Sequence, residues 1–213
     1  MPPTDSSLAA ARAFRQEMAT RRTIRHYSRQ EVDPEIIREC LITAGQAPSG
    51  ANQQPWHFEA IGDPALKHQI RVAAEAEEQA FYDGRATDEW LDAIAPLGTN
   101  ADKTFLEKAP WLIVIFEQRH GLTSAGDRIP YYYTKESVGI ATGFLIAALH
   151  QAGLATLTHT PSPMAFLNRI LARPSREKPF LLLVVGHPAT DASVPDITRK
   201  QPDDYITFRP ARR

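Results

Sequence analysis

Four groups of residues in this 213-residue chain have the types and spacing to do chemistry. The first is Arg21-Arg22-Thr23-Ile24-Arg25, three guanidinium groups and a hydroxyl within five residues. A guanidinium offers a planar fork of donors that matches phosphate oxygens, so this run suits an anionic group. The same run also describes a solvated basic surface. Arg199-Lys200 is a second basic pair, far along the chain, and the two clusters could converge on one phosphate. The second group is the loop Ala47-Pro48-Ser49-Gly50-Ala51-Asn52-Gln53-Gln54-Pro55-Trp56. Its small residues allow backbone to approach a ligand, and its Ser, Asn and Gln supply neutral donors and acceptors. An ordinary turn-rich connection reads the same way. In the third group Thr156, Thr158 and Thr160 surround His159, which suits a polar ligand edge or plain strand propensity. The fourth is Glu78 and Tyr82, four apart, so that a carboxylate and a phenol share one helix face, with Lys103 on a later helix. Against it stands a solvated acidic face of Glu75, Glu77 and Glu78.

Other chemistries are poorly supported. The chain has no GxSxG nucleophile elbow, no HExxH, no P-loop and no GxGxxG. Its seven histidines are scattered without metal-ligand spacing, and no metal is expected. One cysteine, Cys40, rules out an internal disulfide and a multi-cysteine zinc site. With 24 Lys+Arg against 25 Asp+Glu, there is no global basic field for nucleic acid. The longest apolar runs, 111–116 and 180–185, fall well short of the roughly 20 residues of a membrane span. The first residues lack the basic and apolar segments of a signal peptide, so a cytoplasmic protein without a membrane partner is expected.

The elements that must position these groups follow from pattern and caps. Helices are expected over 7–20 and from Pro34 to about Gln46, the latter with Asp33 as N-cap. Cys40 falls on the apolar face of that second helix. Residues 56–61 alternate as a strand, and Asp63-Pro64 opens a long helix to about Tyr82. Two shorter helices follow over about 87–95 and 100–108. The continuously apolar segments 111–116 and 180–185 read as central strands covered on both faces. Between them lies a helix over 132–152 rich in Gly and Ala, suited to close packing at a centre or a subunit interface. A short strand over 154–158, a helix over 166–172 and a possible strand over 205–208 complete the order. This is a mixed α+β layer architecture in a single domain over 1–213, without regular βα alternation.

Taken together and in order, the segments RRTIRHYS, AGQAPSGANQQPWHF, GTNADKTFLEKAP, YYYTKESVGIATGFLIAALHQAGL, THTP and VPDITRK resemble the nitroreductase-fold flavoproteins. The combination of Glu78, Tyr82 and Lys103 resembles the iodotyrosine deiodinase branch of them. The resemblance covers about residues 21–208. It implies a mostly antiparallel sheet flanked by helices, an intertwined homodimer, and FMN held between two subunits. By position, Arg21, Arg22, Thr23 and Arg199 would face the flavin phosphate and ribityl end, and Arg25 the pyrimidine edge. Pro48, Ser49, Gly50 and Asn52 would support the ring from its other side. Thr158, His159 (through its backbone) and Thr160 would contact the flavin, with the Thr160 hydroxyl near N5, favouring one-electron steps. Arg25 and Thr160 would tune the reaction. Glu78 would take the ammonium of a halotyrosine, Tyr82 and Lys103 its carboxylate, and the Ala51 N–H its phenolate oxygen.

The resemblance further implies a lid over about 75–105, flexible residues 1–6 and an extended tail over about 203–213. The reaction implied is reductive dehalogenation of halotyrosine to tyrosine and halide, with a nicotinamide or a separate reductase as electron source. The membrane anchor of the vertebrate members is not matched. The loop Asn52-Gln53-Gln54 is closer to general nitroreductases, and a general NAD(P)H-dependent nitroreductase or quinone reductase is the first alternative. A flavin-fragmenting enzyme would leave the zwitterion clamp unexplained, and a non-catalytic flavin binder would have no use for Arg25 and Thr160.

Overall fold

The computed structural model describes residues 5–98 and 100–209. A four-stranded sheet forms its middle layer, in the order β1-β2-β6-β5, with every neighbouring pair antiparallel. The strands are β1 (Trp56–Ile61), β2 (Trp111–Gln118), β5 (Ala155–His159) and β6 (Glu177–Gly186). An isolated parallel bridge from Thr23 to Thr156 extends the β5 edge and makes the sheet mixed.

The two central strands are apolar throughout because each face meets a layer of helices. Leu112, Val114 and Phe116 of β2, with Leu182 and Val184 of β6, enter one buried cluster. Ile70 and Ala74 of α3 (Pro64–Tyr82), Leu106 of α5 (Phe105–Lys108) and Phe166 and Leu167 of α7 (Ala165–Ile170) join it. The alternate residues Ile113, Ile115, Leu183 and Val185 enter the other cluster. There they meet Ile37, Cys40 and Ala44 of α2 (Pro34–Gly45) and Val138, Leu145 and Leu149 of α6 (Thr134–Gln151). Cys40 is therefore a core residue.

The capped helices begin where the sequence places them. Asp33 accepts from the Glu35 N–H and Asp63 from the Leu66 N–H, each with proline at the start of the helix. The first helix, α1 (Asp5–Thr20), starts two residues earlier than expected and buries none of its residues. Residues 1–4, most of the expected flexible segment, lie outside those described. So do 210–213 of the expected tail.

Three expectations are corrected. The helix expected over 100–108 is only the single turn Phe105–Lys108, because Asn100 and Asp102 turn their side chains onto the Asp102 and Thr104 N–H groups and hold a non-helical turn. Lys103 thus lies in that turn and not on a helix. No strand forms over 205–208, where the chain leaves a 3-10 turn at Pro202–Asp204 and has no neighbouring strand to pair with. A hairpin of β3 (His120–Leu122) and β4 (Arg128–Pro130) occupies a stretch not expected to be regular, because Gly121 and Pro130 hide it. Among the described residues no helix is long and apolar enough to cross a membrane.

Candidate functional site

The arginine run leaves α1 and becomes part of the sheet edge. The Ile24 N–H donates to the Thr156 carbonyl at 3.2 Å, which lays Arg21–Arg25 beside β5. The distant Arg199 joins it, donating to the Arg21 carbonyl at 3.1 Å, while Arg22 donates to the Pro195 carbonyl. Arg21, Arg22, Thr23, Arg25, Leu157, Thr158, Pro195, Ile197 and Arg199 line one cleft of about 350 Å³. Among the described residues no carboxylate pairs with Arg21, Arg22, Arg25 or Arg199. Partial burial, then the nearby Arg199 and Arg22, lower the pKa of Arg21 from its ordinary value. Guanidinium groups crowded around a cleft with no carboxylate partner among the described residues have the donors an anion such as a phosphate requires. Residues 21–25 are half-buried beside β5, unlike a freely solvated run.

Strand β5 splits its residues by face. Leu157 and His159 turn inward, and Thr158 is open at the cleft. His159 is 8% exposed, meets the Phe105 ring edge-on at 5.7 Å, and its Nε2 has no hydrogen-bond partner among the described residues. Burial, then Lys103 and Arg25, push its pKa down to about 3, so it is neutral. Its imidazole thus packs inward against Phe105, and only its backbone belongs to the edge that carries Thr158 and Thr160. Because the unfolded imidazole titrates near 6.5, this group's contribution to stability is complete above pH 6.5 and lost progressively as pH falls toward about 3. At pH 4.5 the loss is roughly 2–3 kcal/mol. In His159→Gln that part of the acid limb disappears from a plot of denaturant midpoint against pH.

Helix α3 and the turn at 100–104 carry the fourth group. The Glu78 carboxylate and the Lys103 ammonium meet at 3.2 Å, with side chains only 15% and 3% exposed. Lys103 also donates through its ammonium to the Asn100 carbonyl and through its backbone N–H to Glu75 at 2.8 Å. The same Glu75 oxygen also accepts from Arg71 at 2.8 Å. Glu77 pairs with Arg85. The three glutamates are therefore each engaged, and the solvated acidic face is overturned. One turn beyond Glu78, the Tyr82 hydroxyl is buried with no hydrogen-bond partner among the described residues. Trp90 of α4 (Asp88–Ile94) packs edge-on against Phe81 at 4.6 Å and against Tyr82 at 6.3 Å. Trp90 and Asn100 escaped the sequence reading, and Glu75 entered it only as part of an acidic face, since nothing in their spacing ties them to Tyr82 or Lys103.

The loop before β1 is wound against its residues' preference. Ala51, Asn52 and Gln54 have φ of 49°, 53° and 48°, each costing of order 1–3 kcal/mol for a residue other than glycine. The Ser49 hydroxyl accepts from the Gln54 N–H, and the Gly50 N–H donates to the Ser137 hydroxyl. Gln53 spans to the hairpin end, accepting from the Tyr132 N–H and donating to the Pro130 carbonyl. At Gly50 a Cβ would stand 2.7 Å from the Tyr132 carbonyl, so only glycine fits. No acceptor among the described residues takes the Ala51 N–H, which leaves it available to a ligand. Pro48, Ser49, Gly50, Ala51 and Asn52 thus share one rigid loop, and Ser137 and Gln53 are its unforeseen supports.

One chain does not bring all four groups together. The loop enters β1 and Thr158–Thr160 leave β5, at opposite edges of the sheet. Three inter-strand spacings, about 14 Å, separate those edges.

A family model described as Nitroreductase family matches residues 18–187. The chain belongs to the nitroreductase family. Within it, the chain is 50% identical to an iodotyrosine deiodinase of Haliscomenobacter hydrossis over 196 residues, covering 92% of this chain and 88% of that one. It is 41% identical to human iodotyrosine deiodinase 1 over 205 residues, 96% of this chain and 71% of the relative. A crystal structure of oxidized iodotyrosine deiodinase bound to FMN and 3-iodo-L-tyrosine superposes with a TM-score of 0.77 at 30% identity, covering 92% of this chain and all of that one. A Bacteroides fragilis nitroreductase with bound FMN, 17% identical with a TM-score of 0.68, shares the fold.

Proposed function

We propose that the chain is an FMN-dependent reductive dehalogenase that converts halogenated tyrosine to tyrosine and halide. The enclosed Glu78–Lys103 pair, with the unsatisfied Tyr82 hydroxyl one turn away, carries this reading. A free amino acid offers an ammonium and a carboxylate a few ångströms apart. Glu78 takes the ammonium, and Lys103 and Tyr82 take the carboxylate, so the zwitterion inserts between two charges already held out of water. A reductase of nitroaromatics or quinones has no use for a buried carboxylate facing a buried ammonium.

The arginine cleft fits FMN, because Arg21, Arg22 and Arg199 supply anion donors that no carboxylate among the described residues occupies. Arg21, Arg22, Thr23 and Arg199 hold its phosphate end; Arg25, Thr158, Thr160 and the His159 backbone line its ring side. When bound, FMN supplies two electrons per turnover, drawn from an external donor. Arg25 places a fixed positive charge at the ring, and the Thr160 hydroxyl offers a hydrogen-bond partner to it. The Ala51 N–H holds the phenolate oxygen of the substrate. A halogen beside that oxygen lowers the phenol pKa, so a donor aimed at phenolate favours halotyrosine over tyrosine. The closed lid excludes water and strengthens each charged contact. No side chain acts as a nucleophile.

A homodimer completes the site. Pro48, Ser49, Gly50, Ala51 and Asn52 of one copy face Thr158–Thr160 of the other. Three features support this: the separation of the two edges, the exposed apolar tail residues Tyr205, Ile206 and Phe208, and an apolar groove of about 900 Å³ between α1, α2 and α6. Phe14, Met18 and Phe144 line that groove. The deciding experiment mixes 3-iodotyrosine with the purified yellow protein under dithionite and assays tyrosine and iodide. Stoichiometric release of both is expected. Absence of tyrosine, together with unchanged flavin fluorescence on adding iodotyrosine, refutes the assignment.

A further inference from the structure

A second cleft, of about 610 Å³, opens between the start of β6, the end of β2 and the segment that follows Thr160. Arg119, Lys135 and Lys178 line it with Ser162, Met164 and Asn168. All three cations are exposed, and none forms an ion pair with a carboxylate among the described residues. Arg176 adjoins them, its carbonyl accepting from the Arg119 N–H at 3.0 Å. Two carboxylates line the same cleft, and both are buried and engaged. Glu117, which stands across the ladder from Lys178, accepts from the Thr134 hydroxyl at 2.6 Å. Glu177 is held by Arg173 at 2.7 and 2.9 Å. Exposed Glu136, beside Lys135, is the nearest acid in sequence left to oppose the rim. The rim therefore presents positive charge outward from a chain whose total is −1.

The wall of this cleft begins at Ser162, two residues past Thr160, a span of at most about 7 Å of chain. We propose that this rim is the docking surface for a small acidic electron-carrier protein that delivers electrons to FMN beside Thr160. The inference rests on the FMN-dependent reading above. The balance requires a donor: two reduced one-electron carriers, one halotyrosine and one proton give two oxidised carriers, tyrosine and halide. The carbon–halogen bond breaks, a carbon–hydrogen bond forms, and the electron pair leaves on the halide. Complementary charge favours this partner, because a cationic rim steers an anionic protein and speeds its encounter in a salt-dependent way.

The test uses FMN-loaded protein, a strongly acidic flavodoxin in its reduced state as donor, and dithionite as a control that needs no docking. In the triple variant Arg119→Glu, Lys135→Glu and Lys178→Glu, dithionite-driven turnover is expected within twofold of the parent. Flavodoxin-driven turnover falls at least tenfold at low salt, and calorimetry shows the flavodoxin complex weakened by a similar factor. The neutralised triple variant with Ala at the three positions falls between, and high salt lowers the parent toward the variants. Equal flavodoxin-driven rates and affinities in parent and variants overturn the docking surface. So does loss of FMN or of dimeric state in both triple variants, which makes the rim part of the assembly, or direct reduction by a nicotinamide dinucleotide at the full turnover rate. Failure of dithionite-driven dehalogenation in the parent instead overturns the function itself.

Discussion

Glu78→Gln lowers halotyrosine affinity at least tenfold and leaves FMN affinity unchanged. On the proposed reading this carboxylate takes the substrate ammonium, and a hydrogen bond to a charged group contributes about 1.5–3 kcal/mol. Losing one charge also removes the carboxylate that meets the Lys103 ammonium, 3% exposed. Breaking a buried pair by removing one member costs about 3–5 kcal/mol, enough to open the lid around residues 100–104. Lys103→Met makes the converse loss, with Glu78 left facing an apolar side chain. The double variant Glu78→Gln with Lys103→Met separates the two roles of the pair. It removes both charges together, so amide exchange of the lid recovers toward the parent level while halotyrosine binding does not. Titration by flavin fluorescence measures the binding, and hydrogen exchange the lid. Full recovery of binding in the double variant would make the pair purely structural.

Arg21→Ala combined with Arg22→Ala weakens FMN by roughly 10²–10⁴-fold, at about 1.5–3 kcal/mol for each charged hydrogen bond to phosphate. The sign of the accompanying stability change is diagnostic. In the FMN-free chain the crowded guanidinium groups have no carboxylate partner among the described residues, so removing two leaves the unfolding midpoint level or raised. With FMN present the parent is stabilised by mass action and the variant is not. A structural role for these arginines predicts the opposite, a loss in both states. Calorimetric titration of FMN and thermal melts with and without it test the pair of expectations.

The parts of the fold legible in the sequence are those with local chemistry. Asp33 and Asp63 mark their helices because a cap is a contact over two or three residues. The apolar runs of β2 and β6 mark central strands because both faces are covered. The hairpin escaped because its strands are three residues each, with Gly121 and Pro130 among them. The tail escaped because a strand needs a neighbour that one chain does not supply. In the site, side-chain types disclosed the candidate groups, yet their pairings were invisible. Glu78 and Lys103 are 25 residues apart with no period linking them. Arg199 reaches Arg21 only because the chain returns past β5. Resemblance to a family, not spacing, joined those groups before the structure did. The strained φ angles of Ala51 and Gln54 were also illegible, since among these three residues only Asn52 is of a type that favours left-handed backbone.

The opposite placement of the Ser49 loop and the Thr160 strand reaches beyond a single molecule. When each site draws on both chains, an allele damaged in the loop and an allele damaged in the arginine run are not equivalent defects. In a mixed pair, one site collects both lesions and the other collects neither. In the proposed homodimer, two individually inactive gene copies would therefore complement each other in the same cell, and inheritance at the locus would be read per pair of chains.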